Sequence, residues 1–201
     1  MLFGSKMSSY ALDNSWIRAR RRLSLLEQQL DPMTKRRLIA LGIQNGSGCL
    51  EVGARGGSVA VWLCDQVEPT GRVVATDINI ELLQGVNRPN FEAIKHDIVV
   101  DSPLEGGFDF VHARWLLHHL REPELAIRRM IDALRPGGWS LLEELDFFPV
   151  HTSTSLTFSS RRIFGPLAPG PWPCGVNARA NLNLQVIFTD SPLALCLRYC
   201  A

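Results

Sequence analysis

The sequence predicts an α/β fold built on an open, mostly parallel sheet with helices on both faces. Three features of the 201-residue chain carry that reading. From about residue 46, short β-rich runs alternate with segments of helical spacing, the order that yields parallel strands joined by crossover helices. Pro69-Thr70-Gly71 and Pro136-Gly137-Gly138 stand where the chain must reverse between elements. A strand-like run, Cys49-Leu50-Glu51-Val52, passes through the glycine-rich turn Gly53-Ala54-Arg55-Gly56-Gly57 into a helix opening at Ser58.

The first element, over residues 13–30, is an amphipathic helix, because Trp16, Leu23, Leu26 and Leu30 recur at helical spacing among Arg18, Arg20, Arg21 and Arg22. Asp31-Pro32 reads as an N-cap followed by proline at the first helical position, which predicts a second helix over 33–41 stopped by Gly42. Strands are expected at 49–52, 72–76, 91–95, 108–113 and 139–143, and helices at 58–67, 80–86, 114–120 and 123–134. After residue 145 the regularity fails. A serine- and threonine-rich stretch and a proline- and glycine-dense one, 165–175, precede a candidate hairpin, 182–189 and 192–200, around Asp190-Ser191. The organisation is therefore an N-terminal helical segment (1–45), an α/β domain (46–150) and an irregular tail (151–201). The connection into the tail lacks an amphipathic helix, so the expectation is that the final antiparallel strands do not complete the sheet and the fifth strand is left as an edge.

Composition narrows the partners. Lysine and arginine (21) nearly cancel aspartate and glutamate (20), and a net charge of +1 gives no electrostatic reason to expect nucleic acid or an anionic membrane. The basic clusters near the N-terminus read as a solvated helix face. Residues 1–10 lack the basic-then-apolar order of a secretory signal, and no apolar run has membrane-spanning length, so a soluble, cytoplasmic protein is expected. The five cysteines include no C-x-x-C pair, and Cys49 and Cys64 fall in apolar stretches, so no metal site is expected.

In an open α/β sheet, ligands bind at the carboxyl ends of strands, where glycines let backbone approach them closely. The second predicted strand ends in Thr76-Asp77, a carboxylate placed to meet the hydroxyls of a ribose. The dinucleotide pattern G-x-G-x-x-G is not met, since Arg55 and Ser58 take its second and third glycine positions when Gly53 is the first. Glu51 would repel a pyrophosphate but suits a ligand bearing an ammonium or sulfonium. S-adenosylmethionine has both and keeps an adenosine for Asp77. The structural alternative is that Glu51 pairs locally with Arg55.

Five motifs in order then resemble one family. They are Leu50-Glu51-Val52-Gly53 with Gly57, Val74-Ala75-Thr76-Asp77, His96-Asp97-Ile98, Phe108-Asp109-Phe110-Val111-His112-Ala113-Arg114, and Leu134-Arg135-Pro136-Gly137-Gly138 before Leu141-Leu142-Glu143-Glu144. The chain resembles the class I S-adenosylmethionine-dependent methyltransferases from about residue 10 to 146, and is similar to their ubiquinone and menaquinone C-methyltransferases. The resemblance implies a Rossmann-like domain and methyl transfer to a small-molecule acceptor. It implies that Gly53 and Gly57 line the methionine part of the cofactor, Asp77 holds the ribose, and Asp97 accepts from the adenine amino group. Ala113 and Arg114 would flank the methionine moiety, and Tyr10 would belong to a segment closing over the cofactor. His118 and His119 follow the fourth strand, and His119 is the candidate general base. The rival readings are a non-catalytic or truncated cofactor-binding fragment and, behind it, a nucleotide-dependent oxidoreductase. One departure stands out: the family carries a glycine where this chain has Arg55. Arg55 is read as an intruder into the cofactor space, with capture of the methionine carboxylate as the alternative.

Overall fold

The computed structural model describes residues 17–144, 184–188 and 194–199. Helix α1 (Ile17–Ala40) runs unbroken through Pro32, so the two helices expected on either side of Asp31 are one. The proline forgoes one backbone hydrogen bond. Asp31 does not cap a new helix because its carboxylate is engaged elsewhere, accepting from Arg114 and Ser58 and pairing with Lys35.

Strand β1 (Gly48–Val52) leads into helix α2 (Ser58–Val67), and β2 (Arg72–Asp77), β3 (Phe91–Lys95) and β4 (Phe108–Arg114) follow. A 3-10 turn (Leu117–His119), helix α3 (Pro123–Asp132) and β5 (Leu134–Glu143) complete the parallel part. The expected helix over 80–86 is a run of turns, and the one over 114–120 shrinks to the 3-10 turn. Both segments leave strand ends at the same rim, where the chain is held by side chains rather than by a helix of its own.

The sheet order is β3-β2-β1-β4-β5-β7-β6, where β6 is Leu184–Phe188 and β7 is Ala194–Tyr199. The first five strands pair in parallel. Strand order reverses between β1 and β4, which opens a crevice at their carboxyl ends. Two apolar layers sandwich the sheet. Leu50, Val52, Val111, Ala113 and Leu142 face α3 through Met130 and Ile131. Cys49, Val73, Phe110 and Leu141 face α2 through Val59, Leu63 and Val67. The central strands β1, β2 and β4 are thus buried on both faces, as parallel strands inside a sheet must be, while the edge strand β3 is only half-buried.

The expectation that the sheet stays incomplete is corrected by the structure. Strand β7 pairs antiparallel with β5 from Trp139↔Arg198 to Glu143↔Ala194, and β6 pairs antiparallel with β7. The physical reason is that β5 is an apolar strand whose outer row of backbone donors and acceptors needs a partner. The proline- and glycine-dense stretch 165–175 lies outside the described residues. Native-state hydrogen exchange checks the docking: the amides of β7 are expected to exchange as slowly as those of residues 139–143. Exchange of β7 at the rate of free chain, with β5 still protected, would show that the pairing does not form.

Candidate functional site

The crevice is shaped by a turn that only partly consists of glycine. After β1 the chain turns with φ of 71° at Gly53, 53° at Arg55 and 80° at Gly57. The Gly53 and Ala54 amides donate to the Thr76 carbonyl oxygen at 2.8 and 2.9 Å, tying the turn to the end of β2. A Cβ at Gly53 would come within 3.1 Å of Leu116, and one at Gly57 within 2.7 Å of Leu83, so both positions are filled by neighbours. A Cβ at Gly56 would lie 2.2 Å from the Glu27 carboxylate, which rests against the turn from α1.

Asp77 closes β2 and lines the cleft. Its Oδ2 accepts from the Arg55 amide at 2.9 Å and its Oδ1 from the Asn79 amide at 3.0 Å, which orients the carboxylate toward the turn. Burial raises its pKa, and the two backbone donors oppose the rise. Asp97, beyond β3, also lines the cleft, and its Oδ1 accepts from the Val99 and Val100 amides at 2.9 and 3.2 Å. Ile78, Ile98 and Leu116 make the walls apolar.

His119 enters the same cleft from the turn after β4. Burial first, then the charges of His118 and Arg55, push its pKa down to about 4, so the ring is neutral near pH 7. The ring of its neighbour His118 lies against it, with centroids 3.9 Å apart and planes tilted by 43°, and His118 Nδ1 hydrogen-bonds with Glu144 Oε2 at 2.6 Å. Glu144 Oε1 accepts from the Leu116 and Leu117 amides, so one carboxylate organises the whole turn.

Glu51, Gly57, Ala113 and Arg114, also expected at the site, are not among the residues that line the cleft. Gly57 starts α2 and Ala113 is fully buried in the sheet. Arg114 points to α1, donating to Asp31 Oδ1 at 2.9 Å and Thr34 Oγ1 at 3.0 Å. Glu51 is 5% exposed and faces His112, whose Nδ1 lies 3.7 Å from Glu51 Oε1, not Arg55. His112 in turn meets Glu143 Oε2 at 3.2 Å, and Glu143 also takes Arg37 and Thr34 of α1. This charged layer was not read from the sequence as a site. Its signal was there: Glu51, His112 and Glu143 are polar residues inside apolar strands, and the pairings Glu51↔His112 and Arg114↔Glu143 set them on one sheet face. Tyr10 lies outside the described residues.

A crevice at the switch point of an open parallel sheet, with a glycine turn beside an acid closing the second strand, defines the nucleoside-cofactor class of α/β proteins. The family model described as a methyltransferase domain matches residues 18–178, and the chain belongs to that family. The methyltransferase str2 of Strobilurus tenacellus is 31% identical over 49% of this chain and 35% of its own length. The ubiquinone/menaquinone biosynthesis C-methyltransferase of Pseudomonas putida is 32% identical over 51% of this chain and 43% of its own. The chain thus spans less than half the length of these relatives. A SAM-dependent methyltransferase from Aquifex aeolicus shares the fold, with a TM-score of 0.60 and 19% identity over 90% of this chain and 97% of that one. Among the described residues no cluster could hold a metal ion and no helix is long and apolar enough to cross a membrane.

The charged layer has a pH signature. Burial alone would lower the His112 pKa, but hydrogen bonds and charge from Glu143 and Glu51 outweigh it and raise it to about 8. Burial would raise that of Glu143, and His112, Thr34 and Arg37 overcome it, bringing it down to about 2. A histidine whose folded pKa lies above its unfolded value stabilises fully below the unfolded pKa and loses that stabilisation as pH rises through the folded one. Stability in urea is therefore expected to fall between about pH 6.5 and 8, by on the order of 2 kcal/mol, as the His112 imidazolium loses its proton. The Glu143 contribution holds above its unfolded pKa and is lost as pH falls toward 2. An unfolding midpoint flat from pH 6 to 9 would remove the imidazolium from this account.

Proposed function

We propose that the chain is an S-adenosylmethionine-dependent methyltransferase acting on a small-molecule acceptor, with residues 46–150 as the cofactor-binding unit. The observation that carries this reading is Asp77, held at the end of β2 by the amide of the glycine turn itself. A carboxylate so placed suits two ribose hydroxyls, and the turn beside it lacks the third glycine that a pyrophosphate needs. The cleft fits the group in other respects: Asp97 offers a carboxylate to an adenine amino group, while Ile78 and Ile98 supply apolar surface for a flat base.

When bound, the cofactor supplies an electrophilic methyl group on a sulfonium. The chain's part is to hold the acceptor in line with it, and good orientation lowers a barrier by roughly 7–11 kcal/mol. Gly53 and Leu116 form the wall nearest the methionine end in this reading, and Glu51, Gly57, Ala113 and Arg114 act through the turn and α1 rather than by contact. His119, neutral near pH 7 and lining the cleft, is the candidate to accept a proton from the acceptor in this reading. The buried, free thiols of Cys49 and Cys64 support a reducing compartment, the cytoplasm, as the place of action.

Calorimetry with S-adenosylmethionine, S-adenosylhomocysteine and nicotinamide dinucleotides tests the reading. The two adenosyl ligands are expected to bind and the dinucleotides not to. Asp77→Ala is expected to weaken S-adenosylhomocysteine binding by about 1.5–3 kcal/mol, the scale of hydrogen bonds to a charged group, with the fold retained. Equal affinity in a folded variant would remove the ribose assignment.

A further inference from the structure

We propose that Arg55 receives the α-carboxylate of the methionine end of the cofactor, so that the residue replacing a turn glycine sets ligand specificity. This rests on the cofactor reading above. Arg55 lines the cleft and holds a φ of 53°, a conformation that costs a side-chain-bearing residue on the order of 1 kcal/mol or more. Among the described residues Trp115, with φ of 54°, is the other non-glycine in this state, and the Arg55 guanidinium donates to its carbonyl oxygen. The side chain therefore bridges the ends of the adjacent strands β1 and β4 and does not extend into solvent. One hydrogen bond uses one of five donors in a planar fork, the geometry that takes a carboxylate in bidentate fashion.

Charge balance selects the ligand group. The residues lining the cleft include two acids, Asp77 and Asp97, and Arg55 is the permanent cation among them. The adenosine belongs to the acids. A zwitterionic amino-acid end brings a carboxylate into a low-dielectric cleft, where it needs a cation, and Arg55 is the one at hand. This replaces the reading of Arg55 as an intruder.

The test compares S-adenosylhomocysteine with its α-carboxamide, which keeps the ammonium and removes only the carboxylate charge. Wild type is expected to prefer the acid by about 10- to 100-fold, the scale of a charge-assisted pair. Arg55→Gly, which relieves the strained φ, is expected to abolish that preference while retaining the melting temperature, and Arg55→Lys to keep part of it. Arg55→Gln, which retains a donor for Trp115 without the charge, is expected to lose it too. Unchanged or tighter acid binding in Arg55→Gly overturns the proposal, and so does parallel weakening of both ligands, which marks a turn anchor. Failure of wild type to bind S-adenosylhomocysteine overturns the cofactor reading itself and this inference with it.

Discussion

Three strands set Glu51, His112 and Glu143 side by side on the sheet face that α1 covers, and the pairing of these buried charges is what the N-terminal helix is built around. Breaking a buried ion pair by removing one partner costs about 3–5 kcal/mol, because the other charge is left dry and alone. Helix α1 meets that demand from above with Arg37 and Thr34 on Glu143, while Arg114 reaches up to Asp31 and Thr34. Among its described side chains, Leu23 and Leu38 are the deeply buried hydrophobic ones. The helix is therefore fastened by directional contacts, which fix its register along the sheet. That register decides where Glu27 lands on the glycine turn.

The cleft is thus coupled to the charged layer through backbone rather than through ligand contacts. Glu51 sits in β1 two residues before Gly53, and the Glu51 carbonyl oxygen accepts from the Thr76 hydroxyl next to Asp77. Displacing either side of the β1–β2 pairing moves the turn and the acid together. The Arg55 amide on Asp77 closes the same circuit at the rim. A strained turn of this kind persists when its surroundings over-determine it, and here two strand ends, one carboxylate and one helix side chain all do so.

The sequence made the parallel core legible because its signals are local. Strand composition, the turn at Pro69-Thr70-Gly71 and the apolar spacing of α2 each act within a few residues, and the strands expected at 49–52, 72–76 and 91–95 form where periodicity put them. Asp77 was legible for a related reason, since strand ends in this topology point at the crevice, whereas Gly53, Asp97 and His119 were reached through the family resemblance; all four line the cleft. What local reasoning misjudged was decided at long range. Asp31-Pro32 carries the local code of a helix start, yet Arg114, 83 positions away, takes the Asp31 carboxylate and α1 continues. The docking of β7 rests on pairing with β5 across a long connection, which no window of sequence reveals. The partner of Glu51 was likewise hidden: Arg55 is four residues on, but the fold places His112 beside it.

Under the proposed function, the division of catalytic labour turns on the neutral ring of His119. A general base contributes about 10²–10⁴-fold, and it does so best when its pKa lies near the working pH. Held near 4 by burial and by the neighbouring charges of His118 and Arg55, His119 is ready to accept a proton but accepts it weakly. Under the methyltransferase reading, orientation must then carry the larger share of the barrier reduction. Orientation is what the rest of the architecture provides: a carboxylate fixed by two amides at one end of the cleft, a histidine turn fixed by Glu144 at the other, and an arginine bridging the strands between. The cation proposed to hold the methionine end is also, after burial and His118, one of the contributors that lower the His119 pKa.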